Sequence, residues 1–93
     1  MPRYLVFHKV HKVFDTQDSW VEDWKGLRDR ATGEGGGPRW MHSWFAPSDS
    51  ELICEWEAPD ASGIPRCFTQ EELQMAPIVR VQEVAFLDAS WLE

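Results

Sequence analysis

RWMHSWFAPSDSELICEWEA, residues 39 to 58, decides the fold. Two apolar-rich runs, 39–46 and 51–58, flank PSDS, a cluster of turn-forming residues. Neither run contains Gly or Pro, so both read as strands of one hairpin. If Pro47 faces Ser50 across the turn, His42 lies opposite Glu55, Trp44 opposite Ile53 and Trp40 opposite Glu57. Side chains alternate along a strand, so Trp40, His42, Trp44, Ile53, Glu55 and Glu57 share one face. Met41, Ser43, Phe45, Leu52, Cys54 and Trp56 share the other. The second set is more uniformly apolar and belongs under helices. A bulge in either strand would exchange these faces downstream of it.

Working outward, RYLVFHKV (3–10) reads as a first strand. Its apolar residues fall at both parities, Tyr4 and Val6 against Leu5 and Phe7, as in a strand covered on both faces. Residues 15–33 read as a helix. Asp15 or Thr16 can cap it, and Trp20, Trp24, Leu27 and Ala31 form an apolar stripe with Val21 at its side. Gly33 is placed to end it. GEGGGP (33–38) is a loop, with no Lys-Ser/Thr after the glycines to make it a phosphate cradle. Residues 59–77 are broken by Pro65 and hold only short helices, with Thr69 and Glu72 fitting a capping box before QEELQM. IVRVQEVAFL (78–87) is the fourth strand.

The order is therefore βαββαβ. The folding solution for it is an α+β, ferredoxin-like split βαβ: a four-stranded antiparallel sheet, strand order 4-1-3-2, with both helices on one face. The 93 residues make a single ferredoxin-like domain, 1–93.

Composition narrows the function classes. A formal charge of −7 argues against nucleic acid or an anionic membrane as main partner. Cys54 and Cys67 form no CxxC pair, and free thiols in a reducing cytoplasm are the simplest reading. No run resembles a signal peptide or approaches the roughly 20 apolar residues of a membrane span. Six tryptophans and five phenylalanines are a heavy aromatic load for so small a core. Part of that surface needs a partner subunit or ligand to cover it, and a homodimer through the sheet faces is expected.

Strand one neighbours strand three in this topology. With Leu5 and Phe7 packed under the helices, Tyr4, Val6 and His8 line the helix-free face. His8, His42, Glu55 and Glu57 then project from three adjacent strands onto one surface rimmed by Trp40 and Trp44. Two imidazoles with one or two carboxylates suit a borderline divalent metal such as nickel, zinc or copper. They equally suit general acid–base work by His42, oriented by Glu55. They also suit a plain cross-strand polar pair inside an interface.

The stretches YLV near the start, W-x-H-S-W at 40–44, C-x-W-E-A-P at 54–59 and V-x-E-V-x-x-L-D at 81–88 resemble a family of small bacterial proteins filed as a nickel-binding-like domain of unknown function. The resemblance implies a ferredoxin-like dimer related to the dimeric α/β barrels. It implies that Trp40, His42, Ser43, Cys54 and Glu57 are family positions, and that nickel is the first metal to test. This chain departs from the pattern at Glu55, where an apolar residue is usual, and in its proline-broken second helical segment.

Three functional readings follow. The first is a cytoplasmic ligand-binding protein holding a divalent metal or small ligand with His8, His42, Glu55 and Glu57. The second is a small dimeric α/β-barrel enzyme, a cofactor-independent monooxygenase or an isomerase. It would use His42 and Glu55 on an aromatic substrate held by Tyr4, Trp40 and Trp44. The third is an interaction module without chemistry.

Overall fold

Strand pairing follows the expected topology. The computed structural model describes residues 1–11 and 17–92. Its elements are β1 (Arg3–Lys9), α1 (Gln17–Arg30), β2 (Arg39–Ala46), β3 (Glu51–Glu57), α2 (Gln70–Met75) and β4 (Ile78–Val84). The sheet order is β2-β3-β1-β4, with every neighbouring pair antiparallel. This is the βαββαβ ferredoxin-like arrangement.

The β2–β3 hairpin closes as its turn residues direct. Pro47–Asp49 form one 3-10 turn, and Ser50 follows in the left-handed region at φ 49°, its N–H donating to Pro47 O at 3.3 Å. The resulting register pairs His42 with Glu55 and Trp44 with Ile53. The register then shifts. Between Trp40 and His42 lies a β-bulge with Met41 as the extra residue, so Trp40 pairs with Trp56 instead of Glu57. The bulge turns Trp40 over to the helix side, away from His42 and Trp44.

In α1 the apolar stripe faces the sheet. Trp24, Leu27 and Ala31 are buried, and Trp20 packs against them half-buried. The helix stops at Arg30, three residues before Gly33, because the chain turns into the sheet edge there. Trp40 N–H donates to Ala31 O at 3.0 Å, and Thr32 bridges Arg39. Gly33 instead makes the return turn at φ +79°, its N–H donating to Pro38 O at 3.0 Å. The expected cap at Asp15 or Thr16 lies outside the described residues.

The capping box of α2 is present. Glu72 N–H donates to Thr69 Oγ1 at 3.1 Å, and Thr69 N–H donates to Glu72 Oε1 at 2.8 Å. The Arg30 guanidinium also reaches Glu72, and Arg30 Nε donates to Cys67 O at 2.8 Å. The last turn of α1 is thereby fastened to the proline-broken segment.

The face assignment of β1 is the reverse of the expected one. Tyr4, Val6 and His8 are buried under the helices, while Leu5 and Phe7 lie on the helix-free face. The register decides this: Tyr4 pairs with Trp56 and Val6 with Cys54, whereas Leu5 pairs with Glu55 and Phe7 with Ile53. Phe68 closes the core, its ring 5.6 Å from Trp56, 6.4 Å from Trp24 and 5.2 Å from His8.

Candidate functional site

On the helix-free face, β1, β2 and β3 bring four ionisable side chains together. His42 Nε2 lies 2.8 Å from Glu55 Oε1. Arg3 Nη1 lies 3.0 Å from Glu55 Oε2, and Arg3 Nη2 donates to Glu57 Oε1 at 3.3 Å. Glu55 is buried beneath these partners, whereas the His42 side chain is half exposed. A buried carboxylate needs partners for both oxygens, and here it has them. The Trp44 ring stands edge-on to His42 at 4.8 Å, and Phe86 lies 4.9 Å from the Arg3 guanidinium carbon. The arrangement can hold the imidazole in one orientation and present its free nitrogen to solvent.

This is not the expected metal set. His8 is on the opposite face, fully buried, with Nδ1 donating to Ala76 O at 2.8 Å. Burial holds its pKa below the ordinary imidazole value, and the Ala76 bond opposes that shift. The Arg3 guanidinium sits between Glu55 and Glu57 and pairs with both carboxylates. Among the described residues, no group of three or more His, Cys, Asp or Glu side chains is placed to hold a metal ion. The His8, His42, Glu55 and Glu57 set therefore does not converge. The ligand-binding trio is separated as well. Tyr4 is in the core and Trp40 on the helix side, so only Trp44 remains beside His42.

The helix side of the same strands holds a cavity of about 300 Å³ between α1 and the β2–β3 hairpin. Its walls are three indoles, Trp20, Trp24 and Trp40, with Leu27 and Leu52. Ser43 and Cys54, a directly paired couple of β2 and β3, supply its inner polar atoms. Trp40 Nε1 donates to Ser43 Oγ at 2.8 Å across the bulge. Burial pushes the Cys54 thiol up to about 12, more than its hydrogen bond with Ser43 lowers it. Cys54 is therefore a protonated, unreactive wall atom. Val21, Lys25 and Arg28 form the rim. At positions i, i+4 and i+7 they make a helical row beside the apolar stripe. That row was visible in the sequence, but nothing in β2 announced that the bulge would carry Trp40 across to meet it.

Among the described residues, no helix is long and apolar enough to cross a membrane. No protein-family model matches the chain, and no curated protein or solved structure matches it.

Proposed function

We propose that this chain is a small-molecule-binding domain whose ligand is an apolar aromatic compound about the size of naphthalene, held between α1 and the β2–β3 hairpin. The observation that carries the reading is the tryptophan-lined cavity of about 300 Å³, at the small end of ligand sites. Its walls come from regular elements, so the site is preformed. Indole faces favour offset or edge-on contact with another aromatic ring. The Ser43–Cys54 pair offers one polar anchor at the inner end.

The enzyme reading finds less support. His42 and Glu55 form a well-oriented dyad, but it lies on the other side of the sheet from the cavity. A molecule between the indoles is out of its reach. Nickel, zinc or copper has the weakest support, since His8 lies on the opposite face and Arg3 occupies the carboxylates of Glu55 and Glu57 beside His42. We place the expected homodimer on the helix-free face, where Trp44 and Phe86 are more than half exposed. The resemblance to the nickel-binding-like family is likewise a proposal. It is supported by the fold and by the meeting of three of its positions, Trp40, Ser43 and Cys54, at the cavity.

Calorimetric titration with naphthalene derivatives tests the binding reading. Wild type should bind in a saturable manner. Val21→Trp, a change at a half-exposed helix position on the rim, should block binding without unfolding the chain. Equal binding by both proteins would remove the cavity from consideration. Nickel and zinc titrations of wild type and His42→Ala test the metal. Site-saturating heat lost in the variant would restore His42 as a ligand.

A further inference from the structure

We infer that the cavity selects aromatic acids: planar ring compounds carrying one carboxylate or a similar anion, read by Lys25 and Arg28 at the rim. This rests on the binding reading above and gives it a ligand class. Three observations support it. First, the charge of the lining is opposite to that of the chain. The protein carries a net −7, yet Lys25 and Arg28 line the cavity and, among the described residues, no acidic side chain does. Second, the two cations are available. Among the described residues Lys25 makes no ion pair. Among the described residues the ion pair of Arg28 is with its neighbour Asp29 alone, at 3.3 Å, with both side chains more than half exposed. An exposed pair of that kind contributes little and yields readily to an incoming anion.

Third, the polar groups are distributed to orient a ligand. The walls are apolar apart from Ser43, Cys54 and the indole N–H groups, while both charges are exposed residues of α1. A ring slid between the indoles keeps its acid group at the rim, where it remains partly hydrated. That avoids the large cost of burying a charge. Arg28 offers a planar fork that matches a carboxylate, and Lys25 adds a second donor one turn away or less. A neutral ring would have the same indole contacts and none of this pairing.

Titration of the full chain with 2-naphthoate and its neutral counterpart 2-naphthamide tests the inference. The expected result is binding of both, with the acid at least about tenfold tighter. In Lys25→Met/Arg28→Met, whose sites are exposed on the helix, the acid should fall to the affinity of the amide and the amide should be unchanged. Circular dichroism verifies that this variant is folded. Equal affinities in wild type, or an acid preference that survives the double substitution, would overturn the acid class and leave the cavity reading standing. Binding of neither compound would remove both.

Discussion

Trp40 and Ser43 are joined side chain to side chain, Nε1 to Oγ at 2.8 Å, over the β-bulge at Met41. The bond fixes the indole against the cavity wall and satisfies its N–H. Ser43→Ala should therefore cost about 0.5–1.5 kcal/mol in urea unfolding and weaken binding of an aromatic ligand. An unchanged stability and affinity would mean that Trp40 is held by packing alone.

Trp24 lies at the centre of the α1 stripe, buried against Phe68 and the cavity. Trp24→Ala should cost roughly 3–5 kcal/mol, a large share of the stability of an ordinary domain. Thermal or denaturant melting measures it. A loss under about 1 kcal/mol would place the side chain outside the core.

His8 makes the fold sensitive to acid. Its folded pKa is depressed by burial, so the folded chain resists the proton that the unfolded chain takes up near ~6.5. The contribution of neutral His8 is fully present above that value. It is lost progressively as pH falls toward the folded pKa, since the unfolded state there binds more protons. His8→Gln retains a donor for Ala76 O and removes the titration. Its stability should decline less steeply than wild type between pH 7 and 5, measured by urea midpoints. Parallel declines would assign the acid sensitivity to other groups.

Arg3 and His42 jointly satisfy the buried carboxylate of Glu55. Arg3→Met leaves one oxygen without its partner and should cost about 1.5–3 kcal/mol. In a cycle with Glu55→Gln, the coupling should exceed about 0.5 kcal/mol. Strict additivity would show that the ion pair is energetically silent.

Sedimentation tests the association proposed for the helix-free face. A homodimer burying at least about 1,000 Å² should persist at micromolar concentration. Trp44→Lys should shift it toward monomer, since that side chain is 53% exposed on this face. A wild-type monomer would count against the proposed dimer.

The sequence carried the fold because its decisive signals are local. PSDS fixed the hairpin register from His42 to Ala46, Thr69 and Glu72 declared their capping box, and the α1 stripe ran as its period required. The site was less legible because two non-local facts govern it. Apolar residues at both parities left β1 without a facial signal, so only its pairing with Trp56 and Cys54 could send Tyr4, Val6 and His8 inward. The bulge at Met41 has no glycine or proline to mark it, and it alone moved Trp40. The first took His8 out of a metal set drawn on one face, and the second carried Trp40 to a pocket on the other.

The bulge also changes what a matching tryptophan means. Trp40 and Trp44 are four positions apart, an even spacing that in an unbroken strand guarantees a common face. Met41 makes the count odd in space while it stays even in sequence. A homologue that pairs this strand without the bulge could keep W-x-H-S-W letter for letter and still point its first indole outward. The same five letters would then form contact surface instead of pocket lining. Residue identity at position 40 is therefore a poor guide to shared ligand binding, and the bulged pairing of the strand is the better one.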